Sequence, residues 1–220
     1  MDWSRFSISI TKEELSGLPI VVYPGYITVI EDEDTAEGAI AYLSRQSIIG
    51  VDTETKPMFR KGRPNKVSLV QIATATQCFL FRINKLGFFE ELRQLFENKD
   101  IIKVGLSLKD DFHALHRVAD FTPKNIVELQ TLVKDYKIRD CSLQKIYAIV
   151  FGERISKGQR LSNWEADVLS PSQQSYAAID AWACLKLYYY FKSGQFIPEN
   201  SQYIVEIEEQ QEQQEQTNQL

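Results

Sequence analysis

"IIGVDTETKP", residues 48–57, sets two acids, Asp52 and Glu54, directly after four apolar or small residues. Ile48, Ile49, Gly50 and Val51 read as the buried end of a strand. Residues i and i+2 of a strand point to one face. A strand running through Glu54 therefore holds both carboxylates side by side, their backbones about 7 Å apart at a rise of ~3.3 Å per residue. A solvated strand end often carries such a pair. At the tip of a core strand, the same pair asks for a neutralising partner.

Around this stretch the elements alternate. "PIVVYPGYITVIEDE" has strand character with a turn at Pro24-Gly25. "DTAEGAIAYLSRQ" has a helical pattern, with Ala36, Ala39, Ile40 and Leu43 on one side behind an acidic first turn. After the Asp52 strand come two strands in "NKVSLVQIAT" and "QCFLFRI", a helix in "KLGFFEELRQLFENKD" and a strand in "IIKVGLS". From about Asp110 the pattern is mostly helical, ending in "PSQQSYAAIDAWACLKLYYYF". Early strands with helices around and after them predict a three-layer α/β domain. The expected division is an N-terminal extension over 1–25, a main domain over 26–193 and a polar Gln/Glu-rich tail over 194–220. The end of that tail, "EIEEQQEQQEQTNQL", is expected as frayed helix or disorder.

Composition sets the outer limits. The chain has 220 residues, 44% hydrophobic and 25% charged, with a net charge of −5. No apolar run approaches 18 residues, so no membrane-spanning helix is expected. "MDWSRFSISITKEE" has neither a basic nor an apolar leader segment, so no secretory signal is expected. Cys78, Cys141 and Cys184 are too scattered for a zinc site or a disulfide framework. A reducing cytoplasm is the expected compartment. The negative net charge gives no overall attraction to nucleic acid, so such a partner needs a local basic patch.

Further acids stand in awkward places. In "KVGLSLKDDFHALHRV", Ser107 is placed to cap a helix, with Asp110 as its box-like partner. Leu108, Phe112, Leu115 and Ala119 form the apolar stripe, and Asp111 lies beside it while Asp110 aligns with the outer Ala114 and Arg117. Asp111 is the functional candidate and Asp110 the structural one. His113 and His116 on this helix read as surface or packing residues. In the last helix, Ser170, Pro171 and Gln173 form a cap, an N1 proline and a capping-box glutamine. Tyr176 and Asp180 follow as i and i+4 on one face, with Ala177, Ala183 and Cys184 around the acid. A carboxylate there needs a basic partner or a metal.

Asp52, Glu54, Asp111 and Asp180 gathered in one cleft would repel unless cations neutralise them. Hard oxygen ligands suit Mg²⁺ or Mn²⁺. Two such ions about 4 Å apart are a common device for in-line displacement at phosphorus.

From about Tyr26 to Phe191 the chain resembles the DEDD superfamily of 3′–5′ exonucleases, in its tyrosine subgroup with ribonuclease D and Werner-type exonuclease domains. "GVDTET", "KVGLSLKDDFHAL" and "SNWEADVLSPSQQSYAAIDAWA", in that order, carry the resemblance. It implies a ribonuclease-H-like fold, a mixed five-stranded sheet flanked by helices. It implies that Asp52, Glu54, Asp111 and Asp180 are metal ligands for two divalent cations and that Tyr176 orients the attacking water. The histidine subgroup would need His at position 175, which is Ser175. The implied activity is removal of nucleoside monophosphates from the 3′ end of DNA or RNA. The alternative is a catalytically silent nucleic-acid-binding or interaction module of the same fold.

No helicase segment and no following helical nucleic-acid-binding domain are expected, so substrate grip falls to this domain or to a partner. "KPMFRKGRPNK" places Lys56, Arg60, Lys61, Arg63 and Lys66 in a loop after Glu54. "RISKGQRLSNW" places Arg154, Lys157 and Arg160 ahead of the Tyr176 helix. These cations would meet phosphates without reading bases. Trp164 is either a base-stacking platform or a buried aromatic.

Overall fold

A computed structural model describes residues 3–57 and 66–207. The strands are β1 Phe6–Ile8, β2 Tyr26–Ile30, β3 Ile48–Thr55, β4 Val67–Ala73, β5 Gln77–Arg82, β6 Ile102–Gly105, β7 Ile126–Glu128 and β8 Ile204–Glu206. The helices are α1 Lys12–Gly17, α2 Glu33–Leu43, α3 Ile83–Leu86, α4 Glu90–Glu97, α5 Leu108–Leu115, α6 Leu129–Leu132, α7 Leu143–Phe151 and α8 Pro171–Lys192. The run 208–220, with its expected fraying, lies outside the described residues.

Six strands form a mixed sheet in the order β2-β5-β4-β3-β6-β7. The antiparallel pairs are β3–β4 and β4–β5, and the rest are parallel. One more strand is present than the five expected. The sixth is β7, three residues added at the edge beside β6. Three residues are too few to show alternation, and only pairing with β6 makes them a strand.

Apolar alternation decides the layers. Ile49 and Val51 of β3, with Val70 and Ile72 of β4, pack against the buried faces of α2, α4 and α5. Leu69, Ala73, Cys78 and Leu80 face the other way, into a cluster with α7 and α8. The residues buried on α2 are Ala36, Ala39, Ile40 and Leu43, the stripe that its 3.6-residue period indicates. α8 is buried nearly all round because it spans the sheet beneath α7 and the N-terminal segment. Among the described residues no helix is long and apolar enough to cross a membrane.

The first and last strands of the described region meet. β1 pairs antiparallel with β8, and Ile8, Ile10, Val21, Tyr23 and Tyr203 join the α8 cluster. Residues 20–23, which read as a strand, make only an isolated bridge from Ile20 to Arg154. The segment runs alongside α8, with Val21 and Tyr23 buried and Ile20 and Val22 exposed. Its alternation reflects packing on a helix, with no strand beside it to pair among the described residues.

One buried cation ties β6 to the segments that lead into β6 and β7. Lys103 of β6 is fully buried, and its ammonium donates to the carbonyls of Asn98, Ile101 (3.0 Å) and Lys124 (2.8 Å). Three donors meet three acceptors. Burial lowers its pKa to about 8, which still leaves the amine charged at neutral pH. Lys103→Met leaves these carbonyls unpaired beside β6, so unfolding in urea should show a loss of about 3 kcal/mol.

Candidate active site

β3 outruns one of its neighbours. Its pairing with β6 ends at Gly50↔Val104, whereas its pairing with β4 continues past Asp52↔Gln71. The segment carrying Asp52 and Glu54 therefore has a free edge on the β6 side. β6 itself ends at Gly105 and turns into α5. Asp111 reaches this edge from one side of the sheet and Asp180 from the other.

Gly50 sets the approach of α8. A Cβ at this position would stand 2.1 Å from the Ala181 carbonyl oxygen, so only glycine admits the helix backbone so close. Gly50 shares its strand face with Asp52 and Glu54, and Ala181 adjoins Asp180. The close contact thus delivers Asp180 to the two strand acids. Single carboxylate oxygens of Asp52, Glu54 and Asp180 lie within 4.8 Å of one another. Asp180 is only 8% exposed.

Asp111 stands slightly apart from these three. Its Oδ1 accepts a 2.5 Å hydrogen bond from the Thr53 hydroxyl, on the opposite strand face to Asp52. Of the charges that raise the Asp52 pKa, that of Asp111 is nevertheless the strongest. Asp110 points into solvent, as the helix-face reading requires. The capping assignment needs correction. Ser107 adopts a left-handed conformation (φ 63°) and makes no side-chain cap. Glu128 of β7 does the work from 20 residues away, accepting the amides of Ser107 and Leu108, each at 2.9 Å. No local pattern announces such a cap, and Glu128 thereby fixes the turn that aims Asp111. Asp111→Asn is expected to cost at least a hundredfold in turnover of a labelled oligonucleotide. Asp110→Asn should lose about 0.5 kcal/mol or less of stability, a first-turn charge effect, and keep most activity.

The α8 start is as its sequence indicates. Ser170 and Gln173 form a reciprocal capping box, with Pro171 in the first turn. Tyr176 lies one turn before Asp180, its hydroxyl against the Asp180 carboxylate. Trp164 is fully buried with its ring 6.1 Å from that of Tyr176, which removes it as a base-stacking platform. The loop before α8 is anchored by Arg82, a fully buried residue unnoticed in the sequence. It pairs with Glu31 at 2.8 Å and donates to the carbonyls of Ala166 and Asp167.

The electrostatics are those of crowded anions. Asp52 and Glu54 retain some exposed surface, yet loss of solvent is the largest influence on each carboxylate. Burial and the neighbouring acids push the Asp52 pKa well above the carboxylate range. Burial, then Asp180 and Asp111, raise Glu54 to about 9, with Arg160 pulling the other way. Burial raises Asp111 and Asp180 to about 7, opposed by the hydroxyls of Thr53 and Tyr176 respectively. Burial followed by the charge of Asp180 drives the Tyr176 phenol far above its usual value. Among the described residues, no lysine or arginine makes an ion pair with any of the four acids. Crowded, hard oxygen donors with no such ion pair are the donor set of a Mg²⁺-like ion. The residues fit the group.

A cleft of about 220 Å³ opens on Asp52, Tyr176 and Asp180, and Lys157, Arg160 and Gln144 line it. Lys157 and Arg160 are exposed there, while Lys66 is exposed at the entry to β4. Arg60, Lys61 and Arg63 lie outside the described residues. Lys56 pairs with Glu165 at 3.0 Å, and Arg154 donates to the Leu18 carbonyl, so both have structural partners. His116 bonds the Phe121 carbonyl at 2.7 Å and stacks on its ring, a packing role.

The chain is similar to several known proteins. A family described as 3′–5′ exonuclease matches residues 27–194. The mouse bifunctional 3′–5′ exonuclease/ATP-dependent helicase WRN is 32% identical over 182 residues, which cover 78% of this chain and 13% of WRN. A 3′–5′ exonuclease of Arabidopsis thaliana is 33% identical over 150 residues, 64% of this chain and 51% of that protein. The chain thus spans a small part of one relative and about half of the other. The Trypanosoma brucei ribonuclease D solved with RNA U12 superposes with a TM-score of 0.69 at 19% identity, covering 76% of this chain and 63% of that one. That likeness identifies the fold as the ribonuclease-H-like fold of such enzymes. With the family match covering most of its length, the chain belongs to the 3′–5′ exonuclease family.

Proposed function

We propose that this chain is a metal-dependent exonuclease of the tyrosine subgroup that hydrolyses phosphodiester bonds from the 3′ end of a nucleic acid and releases nucleoside monophosphates. The observation that carries this reading is the meeting of Asp52, Glu54 and Asp180 within 4.8 Å, with Tyr176 on Asp180 and Asp111 at the strand edge.

Asp52, Glu54 and Asp180 would hold one divalent cation, Mg²⁺ or Mn²⁺, and Asp52 with Asp111 a second. When bound, such ions supply positive charge to the phosphate and acidify water. The protein's own part is positioning. The Tyr176 phenol keeps its proton throughout the neutral range, so it acts through a hydrogen bond that aims the attacking water and not as a base. Lys157 and Arg160 stand where the phosphates of the strand enter the cleft, neutralising charge without reading sequence. Arg60, Lys61, Arg63 and Lys66 follow Glu54 in the chain and extend the same basic character. The Trypanosoma protein was solved with RNA, which supports a nucleic acid as the substrate class here.

The test is incubation of 5′-labelled single-stranded, duplex and recessed DNA and RNA with Mn²⁺ or Mg²⁺, with and without chelator. A ladder shortening from the 3′ end and release of monophosphates, both blocked by chelator, are expected. Binding without shortening would instead favour a catalytically silent module.

A further inference from the structure

Directly across the sheet from Asp52 stands Gln71 of β4. Opposed residues on one sheet face hold their Cβ atoms about 5 Å apart, so the carboxamide and the carboxylate are immediate neighbours on the face covered by α8. Gln71 is 0% exposed. Among the described residues, neither its Nε2 nor its Oε1 has a hydrogen-bond partner. The other residues flanking it on this face are apolar: Leu69 and Ala73 along its own strand and Leu80 opposite it on β5.

A buried amide without partners opposes folding, and leucine or methionine would fill the same space without that cost. The other two acids that lie against protein hydroxyls are each steadied by one, Asp111 by Thr53 and Asp180 by Tyr176. Among the described residues, Asp52 has no side-chain donor. A carboxamide can supply two N–H donors and carries no charge. It can therefore hold a carboxylate in one orientation without displacing cations from it, as lysine or arginine would.

We propose that Gln71 is a positioning residue. Its side chain turns about its χ torsions to donate Nε2–H to the Asp52 carboxylate when divalent cations occupy the site, fixing that ligand's orientation. This inference rests on the reading of the acid cluster as a metal site.

Gln71→Met keeps an unbranched side chain of similar length and removes the amide; Gln71→Leu is its compact counterpart. Calorimetric titration of the full chain should show Mn²⁺ affinity falling about ten- to a hundredfold in both variants, the usual effect of losing a group that orients a ligand. The kcat at saturating Mn²⁺ should fall by a similar factor, with the oligonucleotide KM within about twofold. The Tm of chelator-treated protein should equal or exceed that of wild type. Should the leucine variant fail to fold, the methionine variant decides. A folded variant with wild-type Mn²⁺ affinity and kcat would overturn the proposal, and so would a loss of Mn²⁺ binding that merely tracks a lower chelated Tm. Wild-type protein that binds no Mn²⁺ would overturn the metal reading along with it. Equal binding by wild type and variant overturns only the role of Gln71.

Discussion

Asp52→Asn is expected to reduce turnover by at least a thousandfold and, in the absence of divalent ions, to make the protein more stable. The two effects have one origin. Asp52 stands at the centre of the acidic group, feeling Asp111, Asp180 and Glu54 in that order. In the proposed mechanism Asp52 would be a ligand shared by two cations. Losing such a ligand removes several kcal/mol of transition-state charge stabilisation, and each ~1.4 kcal/mol is a factor of ten in rate. Without metal the same carboxylate is a liability. The folded-state pKa values of Asp52, Glu54, Asp111 and Asp180 all lie above ordinary carboxylate values. Between the two sets of values the native state holds more protons than the unfolded chain. Stability of the metal-free protein must then fall as pH rises from about 4, through 7, toward 9. Asparagine at position 52 relieves part of this. A gain of roughly 1–3 kcal/mol corresponds to one or two decades in proton affinity and raises Tm by several degrees at pH 8, with little difference at pH 5. Thermal melts in chelator across that range, repeated with excess Mn²⁺, make the measurement. Mn²⁺ should stabilise wild type far more than the variant. Undiminished two-site Mn²⁺ binding by Asp52→Asn would remove Asp52 from the ligand set.

Tyr176→Phe separates positioning from binding. The substitution keeps the ring that packs 6.1 Å from Trp164 and deletes only the hydroxyl held against Asp180. The phenol is pushed far above its usual pKa, so no pH near neutrality makes it a base. In the proposed mechanism its contribution is then one oriented hydrogen bond to the attacking water. Mn²⁺ and oligonucleotide affinities should stay within a few fold while kcat falls about ten- to a thousandfold, the range of positioning and proton-transfer effects. The pH dependence of kcat should keep its shape, because the lost group does not titrate in the accessible range. Single-turnover rates at saturating Mn²⁺ decide the matter. Wild-type rates would leave Tyr176 with a packing role alone.

Much of this site can be read along the chain because its logic is periodic. A repeat of two residues places Asp52 and Glu54 on one strand face. A repeat of 3.6 turns Asp111 inward and Asp110 outward, and stacks Tyr176 over Asp180. Ser170, Pro171 and Gln173 start α8 by bonds that span three residues. Each of these relations connects neighbours, so propensity and side-chain direction are enough to state it.

Folding alone decides what depends on distant partners. The left-handed turn at Ser107 looks like an ordinary serine cap until Glu128 captures its amides. β7 becomes a strand only because β6 offers a ladder, and residues 20–23 alternate without becoming one because they lie along a helix. Trp164 is an aromatic beside a basic loop until the core closes over it. Gly50 reads as one more small residue until α8, some 130 positions later, presses its backbone onto β3. That contact brings Asp180 to Asp52. The acids are written into the chain one at a time, but their common charge, their loss of solvent and their capacity to hold cations arise only when close packing puts them in one place.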